Sequence, residues 1–131
     1  MSDADMLEAP IGAEHVQPLR ARYTRASFLR RIADDIRALL GPERVQRMVL
    51  YGSRARGDAR EHGGVDDSDW DIAVFLRGEP PKREEKDRLY GWKAVIGEES
   101  GWDVSPRLFG QDGWLERTMF MHNLRFDMID L

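Results

Sequence analysis

The chain has 131 residues, enough for one domain with a working hydrophobic core. Hydrophobic and charged residues, 41% and 34%, stand in globular proportion; a net charge of −4 and a pI near 5.4 argue against a protein that grips nucleic acid through its phosphates. Cysteine is absent, which excludes disulfides, zinc–thiolate sites and thiol nucleophiles.

Residues 1–22 contain two prolines and no sustained period, and are expected to form a flexible N-terminal arm before a domain spanning 23–131. The acidic start, Met1-Ser2-Asp3-Ala4-Asp5, is followed by no apolar stretch, so neither a signal peptide nor a membrane span is expected and the cytoplasm is the default compartment. Thr24 or Ser27 is placed to cap a helix, since a hydroxyl there accepts from the free amides of a first turn. Leu29, Ile32, Ile36, Leu39 and Leu40 then recur at helical spacing, and Gly41-Pro42 stops the run. Val45 to Tyr51 is short and mostly apolar, the pattern of a core strand.

Gly52 to Ser68 is glycine-rich and charged, predicting a loop with a short helix around Ala55 to Ala59. Trp70 to Leu76 is the second strand. Gly78-Glu79-Pro80-Pro81 breaks it and opens a helix running to about Glu99, with Leu89, Trp92 and Ile96 as its buried face and Lys82 to Arg88 as a solvated, mixed-charge one. Trp102 to Leu108 is the third strand, and Pro106 places it near a sheet edge. Gly113 to about Asn123 reads as another helix and Ile129 to Leu131 as a short final strand. The expected fold is α/β (α+β): a small mixed sheet with helices packed on it.

Side chains alternate along a strand, so Asp69 and Asp71 project from one face while Trp70, Ile72 and Val74 point to the core. Two carboxylates about 4 Å apart repel by about 4 kcal/mol at an effective dielectric near 20. Either a shared proton or a bound divalent cation relieves that repulsion. Asp103 begins another apolar strand, and if the two strands are neighbours three carboxylates converge. Oxygen ligands without His or Cys favour Mg²⁺ or Mn²⁺ over zinc. Asp66-Asp67-Ser68-Asp69 taken alone reads as a solvated turn. Gly52-Ser53, directly after a core strand and before a helix, suits phosphate: glycine admits close backbone approach and the hydroxyl donates. Arg54, Arg56 and Arg60 add charge that either faces a triphosphate or lies on a solvated helix face. His15, His62 and His122 are isolated and read as surface residues, and Trp92, Trp102 and Trp114 as packing between helices and sheet.

Taken in order, Tyr51-Gly52-Ser53-Arg54-Ala55-Arg56-Gly57-Asp58, Ser68-Asp69-Trp70-Asp71-Ile72-Ala73-Val74 and Trp102-Asp103-Val104 resemble the DNA polymerase β-like nucleotidyltransferases, and among them the minimal (MNT) domains that serve as antitoxins in HEPN/MNT toxin–antitoxin pairs. The resemblance covers roughly residues 27–131. It implies that Asp69 and Asp71 hold two Mg²⁺ ions about 3.5–4 Å apart, that Asp103 completes the metal site and helps deprotonate a hydroxyl, and that Gly52 and Ser53 hold the β- and γ-phosphates. ATP is then the substrate, AMP the transferred group, and a HEPN-type helical protein the partner. The gap between Ser53 and Asp69 is longer than is usual in the family, with the extra residues in Glu61-His62-Gly63-Gly64-Val65, so a longer loop is expected beside the nucleotide. Two other functions stay open: a small-molecule nucleotidyltransferase of the aminoglycoside-modifying type, and a partner-binding module without catalysis.

Overall fold

The computed structural model describes residues 13–58, 61–62, 65–66 and 68–131. A four-stranded sheet forms its centre, in the order β5-β4-β1-β6. Strand β1 (Val45–Tyr51) runs antiparallel to both β4 (Trp70–Leu76) and β6 (Ile129–Asp130), whereas β5 (Val104–Phe109) runs parallel to β4. A parallel pair needs a crossover, and helix α4 (Arg83–Ser100) supplies it. The mixed α/β sheet expected from the sequence is the one observed, and Pro106 does lie in an edge strand.

The two faces of the sheet are covered differently. Met48, Leu50, Trp70, Ile72, Val74 and Val104 face helix α2 (Arg25–Leu40) and α4, burying Phe28, Ile32, Ile36, Leu89 and Ile96 against them. Thr24 caps α2 in a reciprocal pair with Ser27: its hydroxyl accepts from the Ser27 amide at 3.0 Å, and Ser27 Oγ accepts from the Thr24 amide at 2.9 Å. On the other face Val49, Ala73 and Phe75 pack under Met121 and Leu124 of α5 (Met119–Asp127). That cover ends at the Ala73 rung, so the next rung, Tyr51 opposite Asp71, is left partly open to solvent.

Four expectations need correction. Residues 13–20 form helix α1 rather than part of a free arm, while residues 1–12 lie outside the described ones. Tertiary contact holds α1: Val16 is buried against Gly101, and Arg20 donates to the Gly101 carbonyl at 2.8 and 3.0 Å. With Val16 as its buried apolar side chain, α1 leaves no periodic apolar signature in the sequence. Strand β5 starts at Val104 rather than Trp102, because Gly101 takes a left-handed cap (φ +74°) and Ser100 Oγ accepts from the Trp102 amide. The helix expected over 113–123 divides into a single 3₁₀ turn (Gly113–Leu115) and α5, since Thr118 caps a new start by accepting from the Met121 amide. In the charged run Lys82 to Arg88, Glu85 is buried on Arg44 instead of being solvated. Among the described residues no helix is long and apolar enough to cross a membrane.

Candidate active site

The open part of the sheet face is built where β1 ends and β4 begins. Tyr51 pairs with Asp71, so the turn leaving β1 lies directly beside that carboxylate. Gly52 makes the turn with φ +76° and ψ −157°, a conformation essentially confined to glycine, and leads into the single-turn helix α3 (Ser53–Arg56). A Cβ placed on Gly52 would stand 2.6 Å from Oδ2 of Asp71. Glycine is therefore required twice here, by the backbone angle and by the carboxylate pressed against it.

Helix α3 begins two residues earlier than the sequence suggested, and that changes what its arginines do. Arg54 points inward: it is 8% exposed, its Nε and Nη2 donate to the Ser68 carbonyl at 3.2 and 2.9 Å, and its guanidinium lies 4.4 Å from the Trp70 ring centroid. Arg54, expected either to face a triphosphate or to lie on a solvated helix face, is buried and ties the glycine turn to the backbone immediately before Asp69. Arg56 is exposed and carries bonds to Asp58 at 3.1 Å and Asp127 at 2.8 Å, joining α3 to the end of α5. Arg60 lies outside the described residues. So do Gly63 and Gly64 of the inserted segment, whose flanks β2 (Glu61–His62) and β3 (Val65–Asp66) pair antiparallel as a small hairpin.

Asp69 and Asp71 share a strand face, Asp69 exposed and Asp71 half-buried. Burial pushes the Asp71 carboxyl above the usual carboxylate range, and the Asp69 charge adds to this; Arg107, Arg56 and Lys93 pull in the opposite direction. Opposite them, the β4–β5 register pairs Asp71 with Ser105 and Trp70 with Val104, while the Trp70 amide donates to the Asp103 carbonyl at 2.9 Å. Side-chain alternation along β5 puts Ser105 and Arg107 on the Asp71 face, while Asp103 lies just before the strand. Asp103 itself is exposed, and among the described residues no three acidic or histidine side chains close into a cage.

Three residues near Asp71 escaped the sequence reading: Arg107, Lys93 and Tyr51. Tyr51 has its hydroxyl pKa raised by burial and by the Asp71 charge, with Arg107 opposing. The strand register carried the signal for two of them, since Tyr51 is the cross-strand partner of Asp71 and Arg107 lies one rung beyond Ser105, whereas Lys93 comes from α4.

This arrangement of sheet, glycine turn and paired aspartates defines a class. The sequence profile of the nucleotidyltransferase domain matches residues 29–125, and the chain belongs to that family. A solved structure provisionally described as a minimal nucleotidyltransferase shares its fold: 24% identity, 83% of this chain and 98% of the other covered, TM-score 0.52. A second structure, described as a toxin–antitoxin with AMP-PNP, is 17% identical over 74% of this chain and 69% of its own, with a TM-score of 0.47. No curated protein matches the sequence.

Proposed function

We propose that this protein transfers a nucleoside monophosphate, AMP from ATP, to a hydroxyl group, with Asp69, Asp71 and Asp103 as its catalytic carboxylates and Gly52 and Ser53 holding the β- and γ-phosphates. One observation carries the reading: the Asp71 carboxylate, raised in pKa by burial and by Asp69, sits directly against the glycine turn that opens α3. Carboxylates crowded in this way suit a divalent cation. Mg²⁺ is commonly held by one or two carboxylates together with substrate phosphates, so a pair of aspartates beside a phosphate turn fits it without a complete protein cage. When bound, Mg²⁺ or Mn²⁺ neutralises charge on the transferring phosphate.

The chain's own residues do the rest. The turn at Gly52 and Ser53 orients the triphosphate, and Asp71 and Asp69 set the position of the α-phosphorus. The acceptor oxygen forms a bond to that phosphorus as the bond to the bridging oxygen breaks, and pyrophosphate leaves with the electron pair. The acceptor proton passes to Asp103 or to water. Positioning and charge neutralisation supply most of the rate in such a reaction. Incubation of the protein with Mg²⁺ and α-labelled ATP, scoring pyrophosphate release and label transfer, tests this reading. Loss of both in Asp71→Asn is expected; a variant as active as the wild type would overturn it.

The family resemblance further suggests a cytoplasmic antitoxin acting on a HEPN-type helical partner. Met119 and Phe126, 75% and 86% exposed on α5, give a protein partner apolar surface to cover. Labelled AMP appearing on such a partner supports this role. Transfer to an aminoglycoside-type small molecule instead, or neutralisation of the partner by an Asp69, Asp71 and Asp103 triple-Asn variant, would favour the alternatives.

A further inference from the structure

In-line displacement fixes where an acceptor must stand. Attacking and leaving oxygens lie on opposite sides of the α-phosphorus. On the reading proposed above, on which this inference rests, pyrophosphate leaves toward Gly52 and Ser53 at the end of β1, with Asp71 on β4 in between. The acceptor therefore approaches across β5, which pairs with β4 on one side and forms the edge of the sheet on the other.

A cavity of about 220 Å³ lies along that edge, between β5 and the first half of α4. Pro106, Arg107 and Phe109 form one wall; Lys86, Leu89 and Tyr90 form the other. Lys86 and Tyr90, four residues apart on α4, emerge on the same side of the helix, and Tyr90 is 65% exposed. Arg107 is oriented by aromatic rings, its guanidinium carbon 5.0 Å from the Phe120 centroid and 5.6 Å from that of Phe109.

The charged lining of this cavity is wholly cationic: Lys86 and Arg107 stand in it with no carboxylate among the lining residues. Two cations held in one cleft without carboxylates, with an exposed aromatic ring beside them, form a site for an anion attached to an apolar body.

We propose that this cavity is the acceptor subsite, and that the acceptor is a hydroxyl compound carrying an anionic group, which Lys86 and Arg107 bind while Tyr90 packs on its apolar part. A carboxylate and a phosphate ester share the required chemistry.

Three probes with related hydroxyls separate the cases: glycerol, glycerate and glycerol 3-phosphate. Each is titrated into isotope-labelled full-length protein saturated with Mg²⁺ and a non-hydrolysable ATP analogue, and followed by amide NMR. The anionic probes are expected to shift resonances of Lys86, Tyr90 and residues 107–109, and glycerol is not; the tighter of the two anions identifies the group. Lys86→Gln should weaken anion binding roughly fivefold, the upper range for an exposed ion pair, and leave nucleotide affinity unchanged. Anion shifts confined to other surfaces, equal binding of glycerol, or no shifts at all would overturn the proposal. The nucleotide titration reports separately at Gly52, Ser53 and Asp71. Failure there refutes the transferase reading and the acceptor assignment with it, whereas nucleotide binding with a silent cavity refutes the subsite alone.

Discussion

At the scale of single residues, the packing of the Asp71 carboxylate against Gly52 makes two sharp predictions. Gly52→Ala combines a backbone conformation costing about 1–3 kcal/mol with a methyl group 2.6 Å from a carboxylate oxygen. Thermal unfolding should show a folded but destabilised protein, and transfer should fall by more than the stability loss explains, because relief comes by displacing Asp71. Asp71 itself has a raised pKa, so it holds a proton more tightly folded than unfolded. Its contribution to folding is therefore neutral below the ordinary carboxylate pKa, turns unfavourable as pH rises toward its own value, and stays so above it. Metal-free Asp71→Asn should melt higher than the wild type at pH 7 and lose that advantage near about pH 3, below the usual Asp pKa of about 3.9. Its transfer rate should drop by about three orders of magnitude. Mg²⁺ affinity of the nucleotide-free protein should fall as pH drops through the raised Asp71 value, and Arg107→Gln, which removes an opposing charge, should move that loss to higher pH. Metal titrations of both proteins across pH check the direction.

At the scale of elements, the site depends on α3 being fastened to the start of β4, and Arg54 is the fastener. One guanidinium spans both: it belongs to the helix carrying Ser53, bonds the carbonyl just before Asp69, and covers the Trp70 ring. Charge-assisted bonds of this kind contribute about 1.5–3 kcal/mol. Arg54→Ala should lose stability in that range by chemical denaturation, and Arg54→Lys should recover little, since an ammonium cannot make the planar, two-nitrogen contact. Sequence alone left this arginine between a triphosphate and a solvated helix face, for a physical reason: spacing shows that a cation stands near a turn, not which way a helix of one turn faces. Strands β1 and β4 were legible to the residue, because each is a compact apolar run with polar flanks. The paired aspartates were legible as well, since alternation fixes their face. Helix α1 and the cavity beside β5 were not, as each depends on contacts between residues distant in the chain, such as Arg20 with Gly101 or Arg107 with Phe120. The split before α5 did have a local signal, the Thr118 cap, which periodicity passed over.

At the scale of the whole molecule, the site occupies one end of the sheet and the main polar anchor occupies the other. Arg44, just before β1, donates to the carbonyls of Arg77 and Glu79 at 2.6 Å and of Pro80 at 3.0 Å, and makes a forked contact to Glu85 at 2.9 and 3.0 Å. It thereby joins the start of β1, the exit of β4 and the first turn of α4. Arg44 holds the Glu85 carboxyl below the usual range, and the Lys82 amide assists. The sign is opposite to that of Asp71: this stabilisation is complete above the ordinary glutamate pKa and is lost as pH falls through the depressed one. Glu85 is only 4% exposed, so Glu85→Gln leaves Arg44 without its counter-charge in a largely closed setting. We expect a loss of about 2–3 kcal/mol at pH 7, measured by denaturant unfolding, that shrinks on acidification as the wild type loses the same charge. Because this anchor lies at the far end of β1 and β4 from Asp71, nucleotide affinity at a temperature where both proteins are folded should be unchanged. A matched fall in affinity would mean that the two ends of the sheet are mechanically coupled, and that the site is held by the whole fold rather than by the turn at Gly52 and the Arg54 contact alone.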